Sequence, residues 1–182
     1  MTVPLSRLTI TLHWLVAAAT LALAAVGLYM VQREAWPLYD LHKSIGLLVF
    51  VLVLARLGWT LRNGLPAPVR PFSRREHLAA TAVHGLLLAC TVALPTTGMV
   101  FSAASGHGFG LFGLPLFPEH PSPKGHGDVI PLASTVSGWG QAAHHALGYA
   151  LLALVALHLA GALKHHLVDK DATLLRMLGR RH

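Results

Sequence analysis

The chain has a single cysteine, Cys90, and that scarcity excludes an internal disulfide. It also lacks any C-x-x-C-H segment, so haem cannot be attached covalently through the usual pair of thioethers. Charge is scarce too: 12% of the 182 residues are charged, and only 7 are acidic. None of those acids falls inside the long apolar runs described below. This argues against a proton or metal transporter that relays cations through buried carboxylates. What fills the chain instead is hydrophobic side chain, 54% of it, with a mean hydropathy of +0.57. That is the composition of a membrane protein.

A membrane-crossing helix needs about 20 apolar residues. Four stretches reach that length, at about 8–31, 41–61, 77–104 and 141–166. Lipid offers backbone N–H and C=O groups no partner, so runs of this kind without strand-like alternation are expected to be helices. The expected fold is therefore all-α: one domain over residues 1–182, a four-helix transmembrane bundle. The opening "MTVPLSRLTITLHWLVAAATLALAAVGLYM" has the basic start of a secretory signal. Its apolar run is too long for one and no small-residue cleavage site follows, so it is expected to be the first span.

The net charge of +7 raises the question of nucleic acid, and its distribution answers it. Arg7, Arg62, Arg70, Arg74, Arg75, Lys164, Lys170, Arg176, Arg180 and Arg181 occupy the start, the second connection and the tail. In a four-span chain these segments share one side. The other side holds Arg33, Lys43 and Lys124, offset by Glu34, Asp40, Glu119 and Asp128. The positive-inside rule then places both termini in the cytoplasm of a multi-pass inner-membrane protein. Basic residues here set topology and contact anionic lipid, and no nucleic-acid role is expected.

The first connection is short, so spans one and two should be antiparallel neighbours. The second, "RNGLPAPVRPFSRRE", is extended, basic and proline-rich. The third, about 105–140, is rich in glycine and proline and is expected to cap the outer end of the bundle, with any short helix near 130–136. Pro95 should kink the third span. Trp14, Trp36, Trp59 and Trp139 fall near span ends, as interfacial anchors do.

Chemistry enters through histidine. The segment "HHALGYALLALVALHLAGALKHH" carries five of them, with His158 near its middle. A helix turns about 100° per residue, so His144 and His158 fall within roughly 40° of one another, about 21 Å apart along the axis. His145 lies about 100° off that face, and His165 continues it only at the rim. His13 on span one matches His158 in depth, and His42 at the start of span two matches His144. Two histidine pairs result, one in each leaflet. Buried ionisable groups in a membrane are costly and mark function. Paired neutral imidazoles inside a helical bundle are the ligand set of a six-coordinate haem iron, which favours electron transfer.

Three further residues have alternative readings. His84, on span three at the depth of His13 and His158, can replace His13 on the iron, bond a haem propionate or line a quinone pocket; we place it beside the iron rather than on it. Arg56, inside span two, either meets a propionate through a bidentate contact or snorkels to the headgroups. Lys43 beside His42 has the same choice between a propionate, an anionic substrate and interfacial solvation. His107, His120 and His126 of the outer loop are read as solvated.

The chain resembles the bacterial cytochrome b561 family. The resemblance is carried by "RLTITLHW", "HKSIGLLVFVLVLARLGW", "HGLLLACTVALPTTG", the His144–His166 segment and "KHHLVDKDATLLRML", which cover nearly the whole chain in order. It implies two non-covalent haem b groups, with axial ligands at His13, His42, His144 and His158, and electron exchange with ubiquinone. Some members are thought to oxidise superoxide at the outer face. The leading expectation is thus an oxidoreductase that passes single electrons between an outer-side donor, superoxide among them, and the quinone pool. The alternative is a cytochrome b subunit that anchors a dehydrogenase or hydrogenase as redox partner protein. Small residues such as Gly98, Ala103 and Gly161 also permit a homodimer.

Overall fold

The computed structural model describes residues 4–123 and 128–180. Lys124 and His126 of the outer loop, and Arg181 of the tail, lie outside the described residues. Four long helices dominate: α1 (Arg7–Arg33), α2 (Tyr39–Asn63), α3 (Arg74–Ala104) and α4 (Ser134–Leu163). Each is long and apolar enough to cross a membrane. A two-stranded antiparallel hairpin, β1 (Phe109–Leu111) and β2 (Leu114–Phe117), sits between α3 and α4, and a short α5 (Thr173–Met177) closes the chain.

Local sequence explains where the helices begin and stop. Ser6 caps α1 by accepting from the Thr9 N–H at 3.1 Å. Ser73 and Glu76 form a reciprocal capping box on α3, each side chain satisfying the other's backbone N–H. Gly64 ends α2 at φ 74°, a left-handed value that costs glycine little. Pro95 lies within α3, which continues on both sides of it. α4 begins at Ser134, so the connection expected over 105–140 is shorter than its sequence suggested, and the helix anticipated near 130–136 is the first turn of the span itself.

Packing inside the bundle is sparse. Val16, Val53 and Leu151 are the only large side chains below 2% exposure among the described residues, and Leu61, Leu78 and Val51 lie largely open. Apolar side chains that face outward in this way are solvated by lipid. α3 and α4 make the most extensive contact, with Gly140 set so close to the Phe101 backbone that an added Cβ would lie 3.0 Å from its nitrogen. α1 packs on α2 around Val16, Val49 and Val53. The α1/α2 pair meets the α3/α4 pair chiefly through α2 and α3.

The β-hairpin was not anticipated from sequence. It is latched to the bundle by Ser44, which is 3% exposed: its hydroxyl donates to the Gly110 carbonyl at 3.3 Å and accepts from the Phe112 N–H at 2.9 Å. Ser102 donates to the Gly108 carbonyl. We refer to this end of the bundle as the hairpin end and to the opposite one as the tail end.

At the tail end a polar clasp ties the second connection to the C-terminal segment. Arg70 reaches Asp169 at 2.7 Å and Glu76 at 3.3 Å, while Lys164 reaches Glu76 at 2.7 Å and Asp169 at 2.9 Å. His165 Nδ1 lies 2.9 Å from Asp169 and 3.2 Å from Asp171. The clustered His165, Asp169 and Asp171 have metal-ligand spacing, but Arg70 and Lys164 already supply the positive charge. Two tryptophans take part at this end rather than serving solely as lipid anchors: Trp14 Nε1 donates to the Met177 carbonyl at 2.8 Å, and Trp59 Nε1 to Thr9 Oγ1 at 2.9 Å.

Hydrogen bonds from Lys164 and then Arg70 hold the Asp169 carboxyl down from its ordinary 3.8 to about 2. A depressed carboxyl pKa stabilises the fold above the unfolded value, and that contribution is lost as pH falls through the folded one. The clasp should therefore hold at neutral pH and loosen between about pH 4 and pH 2. Amide exchange of residues 169–178 in detergent, followed against pH, checks this. Protection unchanged down to pH 2 would show that Asp169 does not hold the tail.

Candidate haem sites

Each sequence-predicted histidine sits where helix geometry puts it, and tertiary packing decides which ones meet. His13 lies six residues into α1 and His158 five residues before the end of α4, so both face the tail-end half. Their ring centroids are 6.2 Å apart, with planes inclined by 55°. His42, at the start of α2, and His144, in α4, meet at the hairpin end with centroids 6.4 Å apart and planes at 85°.

His84 also reaches His158, at 5.2 Å between centroids. The tail end is therefore a cluster of three imidazoles. Arg56 completes it, its Nη2 donating to His13 Nδ1 at 3.2 Å. It is thus turned into the bundle and shows no snorkelling toward the rim. Lys43 is tied to Asp40 at 2.7 Å and to the Gly108 carbonyl at 3.5 Å, close under the hairpin. His107 and His120 are exposed, and His107 bonds Ser105 at 3.0 Å.

The hairpin-end pair is built with more positional detail than its sequence announced. His144 Nδ1 donates to the Leu94 carbonyl at 2.9 Å, with Thr97 Oγ1 at 3.4 Å. A proton fixed on Nδ1 leaves the Nε2 lone pair available to a metal. Gly98 makes room for this ring: an added Cβ would stand 3.1 Å from His144 Cε1 and 3.2 Å from Nδ1. Gly98 therefore faces into the bundle, which removes it from the small residues available for a homodimer contact. His42 Nδ1 is buried without a hydrogen-bond partner. Gly27 stands next to it, with an added Cβ 3.5 Å from His42 Cε1.

The signal for Gly98 was present in "PTTG", where glycine in the interior of a long helix costs about 1 kcal/mol relative to alanine and so needs a reason. The reason is visible only once α4 is docked. Alongside these sites, an apolar groove of about 600 Å³ runs between Leu57 of α2 and α3 residues from Gly85 to Thr97. It spans the depth between the two histidine clusters.

The sequence model of the prokaryotic cytochrome b561 family matches residues 5–180. The chain belongs to that family. It is a multi-pass membrane cytochrome b of a family built as di-haem helical bundles, with electron transport as its general role. Among its relatives, "Cytochrome b561 homolog 2" of Escherichia coli K12 is 32% identical over 173 residues, covering 92% of this chain and 87% of that protein. "Cytochrome b561 homolog 1" of the same organism is 29% identical and covers 97% of each chain. "Probable superoxide oxidase CybB" of Yersinia pestis is 28% identical, covering 95% of this chain and 94% of its own.

Whether this chain's residues fit b-type haem is a question of donors and spacing. An iron bonded to one nitrogen of each of two facing imidazoles, at about 2 Å per bond, sets the ring centroids roughly 6 Å apart. Both the His13/His158 and the His42/His144 separations meet that requirement. His84 and His158 stand about 1 Å closer together than either of those pairs. The unpartnered His42 nitrogen is consistent with a ligand role.

His145, though adjacent to His144, is exposed on another face of α4. His145→Ala should leave the haem content per chain unchanged. Pyridine haemochrome assay of the purified variant checks this, and loss of a haem would mean that His145, not His144, faces the iron.

Proposed function

We propose that the chain binds two non-covalent haem b groups, one at His13/His158 and one at His42/His144. It passes single electrons through them between a donor on the outer side of the bacterial inner membrane and ubiquinone. Superoxide is the donor we favour, as a one-electron reductant and as the substrate class named in the Yersinia pestis relative. Both termini lie in the cytoplasm on this reading, since the basic residues of the clasp and tail gather at the tail end. The observation that carries the proposal is the pair of facing imidazole sets at 6.2 and 6.4 Å, at two depths of one bundle.

Bound haem supplies a one-electron couple at its iron. The protein's part is to hold, orient and shield it. His144, its proton donated to the Leu94 carbonyl, presents Nε2 in a fixed orientation. An imidazole that binds iron through Nε2 carries its proton on Nδ1. The Arg56 guanidinium, which only donates, then has its N–H groups free for a haem carboxylate, and this supports a propionate-binding role for it. His84 stands beside the tail-end pair as a hydrogen-bonding neighbour for a propionate or a quinone. The hairpin, fastened through Ser44 and Ser102, limits access to the His42/His144 end. Lys43 beneath it gives the approach of a small anion a positive side chain, reduced by Asp40.

A second reading keeps the haems and makes the chain the membrane subunit of a dehydrogenase or hydrogenase. The exposed Phe112, Leu114 and Leu116 of the hairpin favour it, since a partner would cover them. Stable co-purification of such a partner from native membranes would decide for this second reading.

The test of the first is a dithionite-reduced minus oxidised spectrum with haem quantified per chain, followed by superoxide-dependent reduction of ubiquinone in proteoliposomes. Two six-coordinate b haems and quinone reduction are expected. A colourless protein from haem-replete cells would overturn the proposal, and two haems without that activity would leave the superoxide reading without support.

A further inference from the structure

The two histidine pairs are alike in spacing and unlike in electrostatics. At the hairpin end, the polar contact of the pair is the Leu94 carbonyl, which accepts the His144 Nδ1 proton, with the Thr97 hydroxyl at its edge. Among the described residues no hydrogen bond or ion pair links His42 or His144 to a charged side chain. Lys43, the nearest cation in sequence, is paired with Asp40. At the tail end, the contact is a cation: Arg56 Nη2 stands 3.2 Å from His13 Nδ1. No ion pair to an acid is found for Arg56 among the described residues, and it lies within a membrane-spanning helix.

These contacts push an iron couple in opposite directions. A carbonyl that accepts the ligand's proton makes the imidazole a stronger donor, which favours the oxidised, more positive iron. A fixed cation beside the ligand disfavours that extra positive charge and so favours the reduced iron. In a low-dielectric bundle such a charge is weakly screened. The sense of its effect is the same whether the guanidinium faces the ring or a haem carboxylate, because in the second case it offsets a negative charge near the iron.

We infer that Arg56 and the Leu94 carbonyl set an order of potentials, with the His13/His158 site holding an electron more tightly than the His42/His144 site. This rests on the di-haem reading above. One electron shared between the sites then resides at the tail end, one iron being oxidised as the other is reduced, with no proton transferred. The bias directs electrons from the hairpin end to the tail end. Arg56 acts here as a positioning residue for charge, through its ligand neighbour, and carries no bond to the iron.

Spectroelectrochemical titration of the full-length detergent-purified protein reads this directly. The sites are assigned with His144→Ala, expected to retain the tail-end haem alone, and His158→Ala, expected to retain the hairpin-end haem alone. At any one applied potential the reduced-to-oxidised ratio should be at least tenfold higher at the tail end, a separation of about 59 mV for a one-electron couple. In the His144→Ala background, Arg56→Met should lower that ratio about tenfold at constant haem content, and Arg56→Lys should restore most of it. Should Arg56→Met lose haem, Arg56→Gln removes the charge while keeping donors, and the same shift is expected. Equal or reversed potentials in the wild type would overturn the inference. So would an unchanged tail-end potential once the Arg56 charge is gone. A wild-type chain with fewer than two haems would instead count against the di-haem reading.

Discussion

His158→Ala is expected to lower the haem content from the proposed two per chain to one, with complete loss of electron transfer across the bilayer. His158 is the residue common to both tail-end contacts, 6.2 Å from His13 and 5.2 Å from His84. No other imidazole of the last span lies at that depth: His144 is fourteen residues away, a rise of about 21 Å, and His165, beyond the end of α4, is engaged by Asp169 and Asp171 in the clasp. The tail-end iron would lose the ligand that α4 supplies opposite His13, whereas His42 and His144 are untouched. His13→Ala should have the same effect and His84→Ala should not, since the His13 separation is the one that matches two iron–nitrogen bonds. Pyridine haemochrome with a reduced-minus-oxidised spectrum measures all three. Retention of two haems in His158→Ala would sink the pairing, and loss in His84→Ala with retention in His13→Ala would exchange the two ligands.

The second large effect is expected at a residue that carries no functional group. Gly98→Leu should empty the His42/His144 site, lowering haem there more than tenfold, while the tail-end haem stays. The argument is steric. A Cβ at 98 already falls 3.1 Å from His144 Cε1, so alanine forces the ring to move by a few tenths of an ångström and weakens its bond to Leu94. The three further carbons of leucine would press harder on the imidazole, to which all three of the atoms nearest that Cβ belong. Disturbing the groups that orient a metal-binding histidine typically costs 10–100-fold in metal affinity, so about tenfold is a conservative expectation. Intrinsic propensity works the other way, since leucine favours helix over glycine by somewhat less than about 1 kcal/mol. Unchanged far-UV circular dichroism with half the haem would therefore isolate the site from the fold. Gly98→Ala, milder, should retain the haem with an altered potential. Normal haem content in Gly98→Leu would show that His144 has freedom the packing does not suggest.

Elements differ in how far local sequence specifies them. The four spans follow from hydropathy because lipid leaves a long apolar segment one acceptable conformation, and the helix is defined by bonds within the segment itself. The shared face of His144 and His158 follows from the helical repeat, again a local property. The capping box at Ser73 and Glu76 and the glycine that ends α2 are equally local. The hairpin was not legible, because its strands are three and four residues long and are held by Ser44 and Ser102, which belong to helices distant in sequence or preceding the loop. The clasp was hidden for the same reason: Arg70 and Asp169 lie 99 residues apart.

The membrane class, the four helices and the depths of His13, His42, His84, His144 and His158 along their helices follow from the chain's local order, since each depends on near neighbours. Only the docking of the helices brings both His13 and His84 to His158, turns Arg56 inward to His13, and makes Gly98 the opening that His144 occupies. Those contacts depend on how one helix is rotated and tilted against another. That rotation is set by side-chain packing summed over the whole bundle, and no periodicity within a single span records it.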